Sequence, residues 1–151
     1  VYMNGPLRPD WYRHALAEQR EGRAVVFSVR MADRLIGTTR FADFNIGLPA
    51  AELGWTWLDQ AEHGTGLNTS IKFLVLRHAF EEWQLVRLQL KTAASNLRSQ
   101  RAIEKLGAER EGLLRTIGGW PTVVGARLKV VAGTRPEPEL LAKVWLPEGV
   151  E

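Results

Sequence analysis

Residues 54–69 read GWTWLDQAEHGTGLNT, and their pattern predicts a strand, a glycine-containing turn and the start of a helix. Over positions 51–58 the residues alternate with the two-residue period of a strand, with Leu53, Trp55 and Trp57 expected on one face. After the turn, the apolar residues change to helical spacing. The other elements can be arranged around this strand–turn–helix unit.

The turn carries two glycines, Gly64 and Gly66, directly before the predicted helix. Glycine lets the backbone approach a ligand closely, and the first N–H groups of a helix lack intrahelical acceptors. These groups also lie at the positive end of the helix dipole, so a phosphate is a natural ligand. Glycines at this spacing are more often purely structural, so the residues alone leave both interpretations open.

The composition is that of one globular domain. The chain has 151 residues, of which 45% are hydrophobic and 25% charged, and we expect residues 1–151 to form a single domain. It has no cysteine, which excludes disulfides, thiol nucleophiles and zinc–thiolate sites. The three histidines lie on different predicted elements, so no metal site is expected.

Charge and hydropathy argue against nucleic acid and membrane as partners. The net charge is +3, but the basic residues are scattered and form no run with interleaved aromatic residues. No apolar run approaches the length of a membrane span, and the first residues do not resemble a secretory signal. We therefore expect a cytoplasmic protein.

The remaining elements combine strands joined as hairpins with helices and one strand–helix–strand unit, which predicts an α+β fold. The strand–helix–strand unit implies that the strands before and after its helix are parallel, because such crossovers are right-handed. The other strands follow one another as hairpins. The predicted elements are a helix at 8–21, strands at 24–30, 35–41 and 51–58, a helix at 67–83, a strand at 86–91, a helix capped by Ser95 or Asn96 and ending at Gly107, an extended segment at 113–114, a strand at 123–131 and a last segment at 140–146.

A set of short motifs is distributed over residues 24–115. The motifs are ELGW at 52–55, GTG at 64–66, HAFE at 78–81, RLQLKT at 87–92, NLRS at 96–99, IEKLGA at 103–108 and REG at 110–112. Together they resemble the GNAT superfamily of N-acetyltransferases, and in particular its ribosomal-protein serine and alanine N-acetyltransferases. The most specific part of the resemblance is the ordered pair of motifs at 96–99 and 103–108.

The resemblance implies a mixed, mostly antiparallel sheet flanked by helices, whose central parallel strands splay apart to admit the pantetheine arm of acetyl-CoA. It also implies that backbone N–H groups of the glycine turn hold the pyrophosphate of this co-substrate. The residues expected to bind acetyl-CoA are Trp57, Leu58, His63, Gly64, Thr65, Gly66, Leu67, Asn68, Thr69 and Asn96.

Acetyl transfer to an amine requires a group that accepts the amine's proton and a group that protonates the departing thiolate. Glu52 is the candidate base, although it could equally be a glutamate on the outer face of a strand. Ser99 is the candidate acid, with Ser95 less favoured, although either could be an ordinary residue at a helix start. Asn96 could bind the pantetheine, cap the helix, or do both.

Three departures from the superfamily pattern affect this interpretation. Ala61 stands where relatives place Gln or Arg, and Ile103 stands where many place a tyrosine acid. The first strand and helix of relatives have no counterpart before Val1. The sequence therefore predicts an acyltransferase, an N-acetyltransferase acting on a protein N-terminus or a small amine; the alternatives are a CoA-binding module without competent catalysis and a structural domain without cofactor.

The missing first elements would leave the strand at 24–30 as an exposed sheet edge. An uncovered edge can pair with another chain. We therefore expect either a symmetric homodimer or coverage of this edge by the C-terminal segment at 123–131.

Overall fold

The computed structural model describes residues 9–45, 47–117 and 120–125. In this part of the chain, six strands form one mixed sheet in the order β1-β2-β3-β4-β6-β5. Only β3 and β4 are parallel, and every other neighbouring pair is antiparallel. The predicted α+β architecture is confirmed. The elements are α1 (Pro9–Arg20), β1 (Ala24–Met31), β2 (Arg34–Asn45), β3 (Ala50–Leu58), α2 (Leu67–Arg77), β4 (Arg87–Ala93), α3 (Leu97–Glu104), β5 (Arg110–Ile117) and β6 (Trp120–Gly125).

The predicted helix at 67–83 consists of two parts. The α-helical hydrogen bonding of α2 ends at Arg77, and a π-helical turn, His78–Glu82, continues it. Trp83 follows this turn, and its ring contacts Phe41 with a centroid distance of 5.0 Å and His78 at 4.8 Å. The wider turn therefore precedes an aromatic cluster that anchors the end of the helix on the sheet.

The core lies between the sheet and α2. One cluster includes Phe41, Leu53, Val75 and Leu88, each at most 1% exposed. A second cluster packs the start of α2 against β1, β2 and the end of β3, and its members are Val29, Ile36, Leu58, Leu67 and Ile71. Together the two clusters fix α2 along its length.

A β-bulge interrupts β3. Across the β2–β3 ladder, Thr38 pairs with Trp57 and Arg40 with Gly54, so that Thr39 lies opposite two residues. At the bulge Trp55 has φ +48°, a value that non-glycine residues rarely adopt.

The bulge makes the prediction of continuous alternation wrong. Leu53 packs in the core with α2. The ring of Trp55 instead lies 4.1 Å from the guanidinium carbon of Arg40. Arg40 is paired through Nη1 with Glu18 of α1 at 2.6 Å. Because the bulge adds one residue to β3, the side chain of Trp55 does not follow the two-residue alternation that starts at Leu53.

The C-terminal segment does not cover β1 where the structure describes it. Residues 122–125 pair with β4, and β5 pairs with the other side of β6, whereas β1 lies at the opposite edge of the sheet. The predicted coverage is therefore wrong for residues 123–125. The rest of that segment and the segment at 140–146 lie outside the described residues.

Candidate active site

The two central strands separate directly after Glu52. Strand β3 pairs with β4 through residues 50–52, which face Arg87–Gln89. On its other side β3 stays paired with β2 as far as Leu58. The edge of β3 beyond Glu52 thus has no strand partner on the β4 side within the described residues. Trp57 and Leu58 lie on this part of β3.

A short turn connects the open edge to α2. Asp59 Oδ1 accepts a hydrogen bond from Ala61 N at 3.2 Å, and Arg34 pairs with Glu62 at 3.2 Å. His63 Nε2 donates to Leu58 O at 3.2 Å, so the ring of His63 folds back onto the end of the strand. These contacts hold the turn although Ala61 itself offers no polar side chain.

Gly64 and Gly66 both adopt left-handed conformations, with φ of +82° and +87°. A Cβ atom added at either position would meet nothing within 4 Å, so the space above both residues is open. Glycine is required here for its backbone conformation and not for lack of room.

Gly66 is the N-cap of α2 and has no side chain that could accept a cap hydrogen bond. Leu67 N donates to Thr65 Oγ1 over a long 3.3 Å, and Thr65 Oγ1 itself donates to Glu62 O at 2.9 Å. Asn68 and Thr69 complete the first turn of the helix, and Thr69 N donates to Gly66 O at 3.0 Å. An open turn and a helix that begins at a glycine fit an anionic group such as the pyrophosphate of CoA.

Glu52 is buried and forms an ion pair with Lys91 of β4. The side chain of Glu52 is 10% exposed and that of Lys91 22%. Burial raises the pKa of Glu52 and outweighs Lys91, which lowers it, while Asp43 raises it further. Glu52 is therefore not an outward-facing strand glutamate, and a raised pKa makes its carboxylate a stronger proton acceptor than an exposed one.

The space beside Glu52 is kept open by Gly54. A Cβ atom built on Gly54 would lie 3.7 Å from Glu52 Oε1. No other heavy atom lies within 4 Å of that position, apart from those of the adjacent residues. A methyl-sized group at that position would be in van der Waals contact with the Glu52 carboxylate.

Asn96 and Ser99 lie at the start of α3. Asn96 is the N-cap, and its Oδ1 accepts a hydrogen bond from Ser99 N at 3.1 Å. The capping role foreseen for Asn96 is therefore present, and Ser99 lies in the first turn of the helix. Among the described residues, no hydrogen bond joins Ser99 to Glu52.

Sequence reasoning missed Gln100, a buried residue on α3. Its Nε2 donates to Ala94 O at 2.8 Å and to Ala93 O at 3.3 Å, and Arg110 donates to its Oε1. Gln100 thereby ties α3 to the end of β4 and to the start of β5. Its burial is produced by tertiary packing, which leaves no signal in a helix rich in polar residues.

Two lysines of this region were also missed. Lys91 lies two residues beyond Gln89, the partner of Glu52 in the last β3–β4 pair. The alternation of β4 places Lys91 on the same face as Gln89, so its proximity to Glu52 could have been inferred. Lys72 on α2 is 5% exposed and resembles an ordinary polar residue of an amphipathic helix in sequence.

Neither a metal site nor a membrane span is evident in the described ranges. No group of three His, Asp or Glu side chains there is arranged to hold a metal ion. No helix among these residues is long and apolar enough to cross a membrane.

Comparison with known proteins identifies the family of this fold and turn. Residues 7–109 match the model of the acetyltransferase (GNAT) domain. The chain belongs to the GNAT acetyltransferase family. It is 35% identical over 105 residues to "Probable N-acetyltransferase YjcK" of Bacillus subtilis, an alignment that covers 69% of this chain and 57% of that protein.

Solved structures show the same relationship. The structure of Mycobacterium smegmatis RimJ in complex with CoA-disulfide matches with a TM-score of 0.68 and 26% identity, covering 79% of this chain and 59% of RimJ. A protein of T. thermophilus, named as a candidate acetyltransferase, matches with a TM-score of 0.70 and 32% identity over 82% of this chain and 70% of its own. The GNAT chain described here thus spans less than two thirds of YjcK and of RimJ.

Proposed function

We propose that this protein is an N-acetyltransferase that moves the acetyl group of acetyl-CoA to a primary amine, at a protein N-terminus or on a small molecule. The observation that carries the proposal is the separation of β3 from β4 directly after Glu52, with an open glycine turn at the far end of the same strand edge. The pantetheine arm that carries the thioester needs the gap between the strands, and the pyrophosphate at the other end of that arm needs the glycine turn.

The residues that would hold acetyl-CoA lie along one continuous path. Trp57 and Leu58 lie on the open strand edge, and residues 63–69 form the turn and the start of α2. The N–H groups of His63, Leu67 and Thr69 already donate to Gln60 O, Thr65 Oγ1 and Gly66 O, so those of Gly64, Thr65, Gly66 and Asn68 would donate to the pyrophosphate. Asn96 lies at the start of α3, beyond the end of β4. The open space at Gly64 and Gly66 supports the fit, because a bound pyrophosphate requires close approach to the backbone there.

Glu52 would accept the proton of the amine, because it is buried, has a raised pKa and borders the open space above Gly54. Lys91 would keep the carboxylate in place and favour its ionised form. Acetyl-CoA supplies the activated acyl group when bound. Ser99, in the first turn of α3, would donate a proton to the thiolate, a role for which Ile103 offers no polar group.

The alternative function is a CoA-binding module without catalysis. The ion pair between Glu52 and Lys91 favours it, because a carboxylate that is already paired is a weaker base than a free one. The raised pKa of Glu52 argues the other way, since burial outweighs the ion pair.

A thiol-release assay with acetyl-CoA over a panel of amines tests the proposal. The panel should contain short peptides with free N-termini, polyamines and aminoglycosides. We expect thiol release that requires an amine and increases with its concentration. Thermal stabilisation by CoA without thiol release for any amine would support the module instead.

We further propose that the protein is cytoplasmic and forms a homodimer through the edge of β1. Strand β1 pairs with β2 on one side and has no strand on the other side within the described residues. Such an edge is a surface on which a second copy could add a strand.

A further inference from the structure

A buried lysine connects α2 to the bulge of β3. Lys72 Nζ donates to Thr56 Oγ1 at 2.6 Å and to Thr39 Oγ1 at 3.1 Å, and Lys72 is 5% exposed. No carboxylate in the described part of the chain lies within ion-pair distance of Lys72. Burial lowers its pKa to about 7, and a neutral amine retains two N–H groups for the two hydroxyls.

The two hydroxyls belong to the residues that face each other across the bulge. Thr39 is the residue of β2 that lies opposite Trp55 and Thr56. Its Oγ1 lies 2.9 Å from Thr56 Oγ1 and donates to Gly54 O at 3.2 Å. We call Lys72, Thr39 and Thr56 the bulge cluster. Their hydrogen bonds thus replace regular ladder contacts at the point where the register shifts.

The bulge requires such support, because Trp55 at φ +48° is held in a conformation that a free strand would not choose. Its location also has a functional consequence. The bulge lies just beyond the last β3–β4 pair, on the strand edge that would receive the pantetheine arm. Lys72 lies on α2, six residues after Gly66, which is the N-cap of that helix and part of the glycine turn.

We propose that Lys72 is a positioning residue for acetyl transfer. Through the hydroxyls of Thr39 and Thr56, it fixes the open edge of β3 relative to the glycine turn that precedes α2. The inference rests on the proposed function. A purely structural lysine would stabilise the fold in the same way, but its loss would leave the kinetics of the folded protein unchanged.

The decisive variants change the donors and acceptors of the cluster with little change in volume. Lys72→Met removes the amine, Thr56→Val removes one hydroxyl, and Thr56→Ser keeps that hydroxyl. Lys105→Met is the matched control, because Lys105 is exposed at the end of α3. If Lys72→Met does not fold, the two Thr56 variants make the same comparison.

Two readouts are needed. The first is hydrogen exchange of the amides of residues 55–58 without cofactor, where we expect at least roughly tenfold faster exchange in Lys72→Met and Thr56→Val than in wild type, Thr56→Ser and Lys105→Met. The second is thiol release well below the unfolding temperature. There we expect kcat/KM for acetyl-CoA to fall about tenfold in the first two variants, the KM for the amine to be unchanged, and the double variant to lose no more than either single one.

Unchanged exchange at residues 55–58, or unchanged kcat/KM with only a lower melting temperature, would overturn the positioning role. A wild-type protein that releases no thiol with any amine would overturn the proposed function and the inference with it. Faster exchange with normal kinetics would assign Lys72 a structural role alone.

Discussion

Lys91 on β4 forms an ion pair with Glu52 on β3, two residues beyond Gln89, where the strands have stopped pairing. The pair therefore bridges the base of the gap between the two strands. Glu52 Oε1 borders the open space above Gly54. The carboxylate is thus held from the side of β4, and its Oε1 lies next to Gly54.

The first prediction concerns Glu52 as the base. In Glu52→Gln we expect the rate of thiol release to fall roughly 100-fold or more, because the amine loses its proton acceptor. A base must be ionised to accept a proton, so if Glu52 is the base, the wild-type rate should fall as pH decreases through its raised pKa, and this acidic limb should be absent in the variant. High pH should partly restore the variant, because more of the amine is then neutral. A pH profile identical to that of wild type would exclude Glu52 as the base.

The second prediction concerns the effect of Lys91 on the pKa of Glu52. Lys91 lowers the pKa of Glu52, so Lys91→Met should move the acidic limb of the rate profile to higher pH. Arg87→Met is the control, because it removes an ion pair with Glu111 from the same strand. The limb should stay in place in this control. An unmoved limb in Lys91→Met would show that the pair does not tune the catalytic group.

The third prediction concerns the glycine turn, with Gly22 as the matched control. Gly22, Gly64 and Gly66 share a left-handed φ and open space at Cβ, so an alanine at each should cost roughly 1–2 kcal/mol of stability. Only the alanine variants at 64 and 66 should weaken acetyl-CoA binding, which titration calorimetry can measure. Equal affinities in all three variants would argue against a phosphate site at the turn.

The fourth prediction concerns the buried amine of Lys72. Its pKa is about 7 when folded and 10.5 in the reference state, so the unfolded chain binds more protons between these values. Stability attributable to this group should therefore rise with pH from about 7 upwards, by up to about 1.4 kcal/mol per pH unit. Denaturant unfolding at about pH 7, 8 and 9 should show this slope in wild type and Lys105→Met but not in Lys72→Met. A constant difference between wild type and Lys72→Met would contradict it.

The fifth prediction concerns the edge of β1. Gln19 of α1 accepts a hydrogen bond from Val26 N at 2.8 Å, which occupies one donor that a second copy would need. Gln19→Ala should therefore strengthen self-association if the homodimer forms by edge pairing. Sedimentation velocity at micromolar concentration measures this. A monomer in both proteins, or an association that Gln19→Ala leaves unchanged, would contradict edge pairing.

The sequence predicts much of the fold because the local signals agree with the packing. The helix start at Asn96, the turn at Gly64 and Gly66 and the parallel strand–helix–strand unit follow from capping, backbone freedom and crossover handedness. The bulge at Trp55 could not be predicted, because one inserted residue leaves apolar alternation apparently intact while it changes the face of the side chain.

The candidate site was predicted in part. The glycine turn is expected from backbone freedom and the helix dipole, and the resemblance adds Glu52 and the other cofactor-binding residues. The burial of Glu52, its ion pair with Lys91 and the hydrogen bonds of Lys72 depend on contacts between elements distant in sequence. A lysine at a polar position of an amphipathic helix is expected to be exposed. Within the described residues, the hydroxyls of Thr39 and Thr56 accept from Lys72 and make its buried position tolerable.

The most direct test of the central claim is a calorimetric titration of the wild-type protein with acetyl-CoA and with acetyl-pantetheine, which lacks the pyrophosphate and the adenosine 3′-phosphate attached to it. If the open edge of β3 and the turn at Gly64 and Gly66 form one cofactor site, acetyl-CoA should bind at least roughly tenfold more tightly than acetyl-pantetheine. Equal affinities for the two compounds, or no binding of acetyl-CoA, would contradict the account.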